Sequence, residues 1–278
     1  MLAFVTSLRH PRNSINYDAV ETMLLESLAS WRNQDHDDWI GLVIGNRAPV
    51  VDLGERIEFV GVDFDPPSKS TGPRTGLAAV LQDKGTKLAV GLLRARQLGA
   101  SHVMFADADD FVSRRITGFV ARQPDALGWV VTDGWRYNAE RAVVHRHRGD
   151  FHLQCGTSHI VRTDAFVPFE APLTVSQADL YSGFGRELER WIGSHMYIHD
   201  DLPLLSLPFP GALYRVGTSE SHSGNSLAGW SLPVSDAISS EFAVPPGASG
   251  QIAKLLSVLP SRKAIANRVR SVTPFRGR

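Results

Sequence analysis

The chain has 278 residues, of which 43% are hydrophobic and 21% charged, and its 29 basic and 29 acidic side chains give a formal net charge of zero. This composition is typical of a globular protein, allows one large α/β domain with an added segment, and argues against bulk nucleic-acid binding. No run approaches the ~18 apolar residues that span a bilayer, the N-terminus lacks a signal-peptide pattern, and Cys155 is the only cysteine, so we expect a cytoplasmic protein without an intrachain disulfide.

The first elements alternate between strand and helix patterns. Residues 2–6 form a short apolar run that predicts a buried strand, and residues 39–44 and 57–60 predict two more. A helix between the first two strands is indicated by apolar residues at helical spacing: Val20, Met23, Leu24, Leu28 and Trp31.

A loop and a second helix lead to the fourth strand. Residues 62–76 hold three prolines and several polar residues, which predicts a long loop of the kind that often serves as a lid. Residues 85–98 predict a helix, and the apolar run from His102 to Ala106 predicts the next buried strand. This order favours a mostly parallel sheet with crossover helices.

The fourth strand ends in an Asp-x-Asp-Asp cluster formed by Asp107, Asp109 and Asp110. The carboxyl ends of strands in open α/β sheets are where ligands bind. Two carboxylates at that edge can share a divalent cation, Mn²⁺ or Mg²⁺, whose other ligands come from water and substrate phosphates. The alternative is that Asp109 or Asp110 caps a helix predicted to begin near Ser113.

The second half of the chain contains shorter elements. Strands are predicted at residues 127–132, 135–137, 142–147 and 158–162, and a helix within residues 177–194. We therefore divide the chain into a nucleotide-binding half (1–112), an acceptor half (113–230) and a C-terminal extension (231–278).

The end of the chain is basic. From Ala243 to Arg278 there are seven basic residues and no acidic one, so the rest of the chain has a formal net charge of −7. Such a tail can bring a protein to an anionic membrane surface, where each Lys or Arg contributes ~1 kcal/mol. The alternative is a packing or homo-oligomerisation arm.

Five motifs in order resemble those of GT-A-fold glycosyltransferases close to the large family-2 group, over about residues 1 to 225. The N-terminal strand and helix match in pattern. The segment Leu98–Asp110 resembles the family's A-x-x-x-G-a-x-y-[IV]-x-x-x-D-A-D-D motif, and Gly156–Phe166 is similar to its acceptor-side strand. Residues 199–204, His-Asp-Asp-Leu-Pro-Leu, resemble G-E-D-x-x-L. Residues 207–216, with Tyr214-Arg215, resemble L-x-x-P-L-x-x-Y-R and are followed by Ser221-His222-Ser223.

The resemblance implies a mostly parallel GT-A (Rossmann-like) α/β fold and sugar transfer, with inversion, from a nucleotide-sugar donor to a carbohydrate or lipid-linked acceptor. Asp109 would hold the metal, Asp107 would contact the ribose or a metal-bound water, and His222 would be a further metal ligand. Asp201 matches the family's catalytic base, with Asp200 as the second candidate. The remaining cofactor-binding candidates are Thr6, Asn46, Lys84 and Lys87.

The chain departs from the family at two places. Asn46 stands where an acidic residue usually reads the base, although its amide can still pair with a uracil edge. A UDP-sugar as donor is what the resemblance implies. His199 and Asp200 replace the usual glycine and glutamate.

Other interpretations compete with this one. Lys84 and Lys87 are also explained as solvated lysines at a helix start. The histidines at 145, 147, 152 and 159 invite a zinc interpretation, but they lack structural-zinc spacing. The competing functions are a nucleotidyltransferase or phosphatase and a sugar- or nucleotide-binding protein without turnover.

Overall fold

The computed structural model describes residues 1–68, 76–218, 227 and 231–246. The helices in these segments are α1 (Tyr17–Arg32), α2 (Leu77–Gln97), α3 (Ile116–Ala121), α4 (Gln177–Phe184), α5 (Ile198–Asp201) and α6 (Asp236–Phe242). None of them is long and apolar enough to cross a membrane. The strands are β1 (Leu2–Ser7), β2 (Trp39–Gly45), β3 (Ile57–Gly61), β4 (His102–Phe105), β5 (Phe111–Val112), β6 (Gly128–Val130), β7 (Gly134–Asn138), β8 (Val143–His147), β9 (His159–Arg162), β10 (Leu205–Ser206), β11 (Ala212–Arg215) and β12 (Leu232–Pro233).

Seven strands form the main sheet, in the order β10-β6-β9-β4-β1-β2-β3. The neighbours β3, β2, β1 and β4 are parallel, whereas β9 runs antiparallel to both β4 and β6. The register pairs Val5 of β1 with Phe105 of β4, so both strands end at the same edge of the sheet. The structure confirms the predicted α/β class with a mostly parallel sheet.

Two helices cover opposite faces of this sheet. Because side chains alternate along a strand, Phe4 packs in one core cluster with Leu28 of α1, and Val5 packs in another with Leu92 of α2. A Cβ at Gly91 would lie only 2.2 Å from Val5 Cγ1, so α2 sits close against β1. Helix α2 begins at Leu77, earlier than the predicted start at residue 85. The sequence pattern missed the first turns because they are partly exposed and lack a regular apolar stripe.

A second sheet of five strands, in the order β12-β8-β7-β11-β5, packs beside the first. Strand β12 pairs with β8, and Phe242 and Val244 join the small core cluster of this sheet. Residues 231–246 therefore belong to the folded body, which corrects the predicted start of the C-terminal extension at residue 231. The basic residues of the predicted tail lie outside the described residues.

Candidate functional site

A cleft of about 590 Å³ opens at the carboxyl edge of the parallel strands. Ser7 ends β1 and Asp107 follows β4, so both reach this edge because the two strands are parallel neighbours. The first half of α2 and the segment at residues 193–196 form the other walls. The polar residues lining the cleft are Ser7, Arg9, Asp83, Lys84, Asp107, Asp109, Gln154, Ser194, His195 and Tyr214.

Asp107 is held from two sides. Its carboxylate forms an ion pair with the Lys84 ammonium, and its backbone N–H donates to Thr157 Oγ1 at 2.9 Å. Burial alone would raise the pKa of Asp107, but the Lys84 ammonium outweighs burial and keeps the pKa below its usual range. Asp107 is therefore an anion already paired with a cation.

Asp109 lines the same cleft, but its negative charge is less well balanced by nearby positive charge. Burial, together with the negative charge of Asp107, raises the pKa of Asp109 to about 6. A divalent cation between the two carboxylates would relieve this repulsion, and hard cations prefer such oxygen ligands. The described part of the chain contains no group of three or more His, Cys, Asp or Glu side chains arranged to hold a metal. An ion held by Asp107 and Asp109 would take its remaining ligands from water and phosphate.

Asp110 serves neither as a cleft residue nor as a helix cap. Its side chain is fully buried and accepts hydrogen bonds from Thr157 Oγ1 at 2.7 Å and from the backbone N–H of Arg215 at 3.0 Å. Helix α3 begins at Ile116 with Arg115 at its N-cap, so the N-cap alternative for Asp109 and Asp110 is wrong. Asp110 instead connects the end of β4 to β11.

Two of the predicted cofactor-binding residues are buried instead. Thr6 is fully buried, and its neighbour Ser7 is the residue of β1 that lines the cleft. Lys87 is also fully buried, where it donates to Asp83 Oδ2 at 2.8 Å and to the Leu8 carbonyl at 2.9 Å. Neither side chain can contact a ligand in this arrangement, which corrects both predictions. Lys84, one helical turn earlier, does face the cleft.

Asn46 lies at the end of β2 and is half buried. Its Nδ2 donates to the Phe64 carbonyl at 2.8 Å, and its Oδ1 has no hydrogen-bond partner. This oxygen is itself buried, so Asn46 offers no exposed acceptor to a ligand in this arrangement. It does not line the cleft, and the loop that follows Phe64 runs into residues 69–75, outside the described residues.

Asp200 and Asp201 lie at the end of α5 and do not line the cleft. Asp201 accepts hydrogen bonds from Arg190 Nε at 2.9 Å, from Arg190 Nη2 at 3.0 Å and from Trp191 Nε1 at 2.8 Å. These contacts, chiefly those with Arg190, hold its pKa below the usual range. Asp200 is largely exposed beside His199. The predicted metal ligand His222 lies outside the described residues.

The sequence interpretation missed His195, which lines the cleft with Asp107 and Lys84. Three other histidines, His152, His159 and His199, form a group of rings, in which the centres of the 152 and 199 rings are 4.3 Å apart and those of the 159 and 199 rings 5.6 Å apart. Burial, then the nearby Lys84 charge, lowers the pKa of His195 to about 4. The Ser-His-Met sequence around His195 resembles no catalytic motif, so only the fold reveals its position.

No family model matches the chain, and no curated protein matches it either. Among solved structures, the chain is similar to S. aureus TarS, with a TM-score of 0.37 and 11% identity over 77% of this chain. It spans only 36% of the TarS chain. It is also similar to a Desulfovibrio desulfuricans G20 protein described as a nucleotide-diphospho-sugar transferase, with a TM-score of 0.31 and 11% identity over 77% of this chain and 80% of that one.

Proposed function

We propose that this chain is a metal-dependent glycosyltransferase of the GT-A type that moves a sugar from a nucleotide-sugar donor, a UDP-sugar, to an acceptor hydroxyl with inversion. The observation that carries the proposal is the placement of Asp107 and Asp109 in one cleft at the carboxyl edge of the parallel strands. Phosphate-bearing ligands bind at this edge in open α/β sheets.

The residues of the cleft suit a diphosphate held by a cation. Asp107 and Asp109 would hold Mn²⁺ or Mg²⁺, which would neutralise charge on the departing diphosphate. Lys84, already paired with Asp107, provides a second positive charge at the same wall. A cation held by Asp107 would leave the Lys84 ammonium available to a phosphate oxygen.

The nucleotide base is assigned from Asn46. Asn46 stands where the resemblance places the residue that reads the base, and an amide oxygen can accept from the N3–H of uracil. The acceptor is proposed to be a carbohydrate or a lipid-linked sugar, which follows the resemblance of the sequence motifs and the basic C-terminal tail.

The test is a thermal-shift and calorimetric panel of UDP, GDP and CDP, each with and without Mn²⁺ or Mg²⁺. A ligand present at 100 times its Kd should stabilise the native state by about 2.7 kcal/mol. We expect a metal-dependent shift with UDP that is lost in Asp109→Asn and retained in Asp125→Asn, which neutralises an exposed aspartate on the loop before β6.

The other outcomes separate the alternatives. A response to UDP and metal without release of UDP from any UDP-sugar would indicate a binding protein without turnover. The proposal fails if no nucleotide shifts the melting temperature, or if the shift survives in Asp109→Asn.

A further inference from the structure

We propose that Arg215 is a positioning residue, which holds the backbone of Asp109 so that its carboxylate stands beside that of Asp107 at the metal. This inference deepens the proposed function and rests on it. Arg215 is the last residue of β11. Its side chain is buried and does not line the cleft, so it acts through other residues and not on a ligand.

Arg215 contacts residues 109, 110 and 111, which form the end of the Asp-x-Asp-Asp turn and the start of β5. Its Nε–H donates to the Asp109 carbonyl at 3.1 Å, and its backbone N–H donates to Asp110 Oδ1 at 3.0 Å. Its guanidinium carbon lies 5.0 Å from the centre of the Phe111 ring, within the range of a cation–π interaction. One residue of the second sheet therefore holds the segment to which Asp109 belongs.

The guanidinium of Arg215 is in turn held by α1. Its Nη2 donates to Glu26 Oε2 at 2.5 Å, and the two side chains form an ion pair. The next residue of the helix, Ser27, donates from its Oγ to the Asp110 carbonyl. Helix α1 therefore supports two consecutive carbonyls of the turn, that of Asp110 directly and that of Asp109 through Arg215.

The position of Asp109 matters because a shared cation needs both carboxylates at fixed distances. Mg²⁺ requires near-octahedral geometry with ligands at about 2.0–2.1 Å, whereas Ca²⁺ accepts flexible geometry at about 2.3–2.6 Å. Asp107 is supported by Lys84 and Thr157, and Asp109 is supported through its carbonyl by Arg215. A displaced Asp109 should therefore weaken the binding of Mg²⁺ more than that of Ca²⁺.

Arg115 provides a matched comparison within the chain. Its Nε pairs with a Glu241 carboxylate oxygen at 2.8 Å, and its guanidinium carbon lies 4.2 Å from the centre of the Phe209 ring. Arg115 thus makes the same two kinds of side-chain contact as Arg215, but with partners outside the Asp-x-Asp-Asp turn. Its replacement removes an Arg–Glu pair and leaves the support of Asp109 intact.

The experiment uses the full chain and compares Arg215→Lys, Arg215→Met, Glu26→Gln and Arg115→Met with the wild type. Lysine keeps a positive charge for Glu26, but it has a methylene where arginine has Nε–H, so it removes the donor to the Asp109 carbonyl. Calorimetry measures UDP binding with Mg²⁺ and with Ca²⁺, and urea unfolding measures the stability of each variant.

We expect Arg215→Lys to weaken Mg²⁺-dependent UDP binding by about 10- to 100-fold, the usual loss when a group that supports a metal ligand is replaced. UDP affinity with Ca²⁺ should fall less. Arg215→Met should lose at least as much UDP affinity and more stability. Glu26→Gln should have a smaller effect, because glutamine still offers an oxygen to the guanidinium. Arg115→Met should bind UDP with the affinity of the wild type.

Three results would overturn the inference: wild-type Mg²⁺-dependent UDP affinity in Arg215→Lys, an equal loss with Mg²⁺ and Ca²⁺ in that variant, or the same loss in Arg115→Met. The first would show that Asp109 needs no support from Arg215, and the other two that the loss reflects general destabilisation. If Arg215→Met does not fold, Arg215→Lys and Glu26→Gln still decide. Failure of the wild type to bind UDP with any metal is a different result, because it removes the proposed function itself.

Discussion

Thr157 Oγ1 donates a hydrogen bond to Asp110 Oδ2 at 2.7 Å and, through the same oxygen, accepts one from the backbone N–H of Asp107 at 2.9 Å. A single buried hydroxyl therefore fixes both ends of the Asp-x-Asp-Asp turn. Replacing it removes the partner of the Asp107 N–H and one of the hydrogen bonds to Asp110, which keeps those from Cys155 Sγ and from the Arg215 N–H. Losing hydrogen bonds to buried groups costs stability.

We expect Thr157→Val to lower the free energy of unfolding by about 1–3 kcal/mol and also to weaken metal-dependent UDP binding, because Asp107 loses its backbone anchor. Urea unfolding and calorimetry measure the two effects. Thr163→Val is the matched control, since Thr163 is a buried threonine that bonds the Ala100 carbonyl at 2.7 Å away from the cleft. It should cost stability and leave UDP binding intact. Normal UDP binding in Thr157→Val would contradict the anchoring role.

The positions of Asp107 and Asp109 could be predicted from the sequence because they depend on the strand that directly precedes them in the chain. A buried strand followed directly by Asp107 and Asp109 places both side chains at a sheet edge. The parallel order of β1, β2, β3 and β4 is consistent with the helical crossovers α1, from β1 to β2, and α2, from β3 to β4. The sequence pattern does not tell which of Lys84 and Lys87 faces the cleft. They lie on one helix three residues apart, and only the packing of α2 on β1 decides that one faces the cleft while the other is buried.

The residues that sequence patterns misplaced depend on contacts between distant segments. Asp201 matches its motif, but Arg190 and Trp191 decide what its carboxylate contacts. The segment that carries His195 is positioned by the close approach of Gly193 to α2. A linear motif contains no information about such contacts.

Substitutions of the two lysines of α2 should have different effects: loss of Lys87 should lower stability, and loss of Lys84 should weaken UDP binding. Lys87 and Asp83 form a buried pair, and burial lowers the pKa of Lys87 and raises that of Asp83. We expect Lys87→Met to lower the free energy of unfolding by about 3–5 kcal/mol, because it leaves a buried carboxylate without its partner.

Chemical denaturation of four proteins tests this expectation. The double variant Lys87→Met/Asp83→Leu should regain part of the loss, because it removes the unpaired carboxylate as well. Lys84→Met should unfold near the wild-type midpoint yet bind UDP weakly. The prediction is wrong if the two lysine variants have equal stability.

Gly156 lies close to the Asp107 carboxylate. A Cβ at this position would lie 2.6 Å from Asp107 Oδ2 and 3.1 Å from Lys84 Nζ. We expect Gly156→Ala to displace the Asp107 carboxylate and to weaken metal-dependent UDP binding by more than tenfold, the equivalent of about 1.4 kcal/mol. Calorimetric titration measures this effect. Gly61→Ala is the control, since its Cβ would meet only Phe59 at 3.6 Å. Equal UDP affinity in the two variants would exclude the displacement.

The buried histidines should make the protein sensitive to acid. Burial lowers the pKa of His152 and His159 below the ordinary value of 6.5. In the unfolded chain these rings bind protons as the pH falls through 6.5, while in the folded chain they stay neutral, so the unfolded state binds more protons. Stability is therefore complete above pH 6.5 and is lost as the pH falls below it. Each ring contributes at most about 1.4 kcal/mol per pH unit.

Urea unfolding at pH 7.5 and pH 5.5, with wild type and His159→Gln, measures this dependence. Asp109 and Asp110 have raised pKa values and act in the opposite direction, so the quantity that isolates His159 is the difference between the two proteins at each pH. We expect His159→Gln to be less stable than the wild type at pH 7.5 and to lose less stability on acidification. Replacing the exposed His36 by glutamine should leave the pH dependence of the wild type unchanged. A parallel loss of stability in wild type and His159→Gln would show that burial of His159 does not cause the sensitivity to acid.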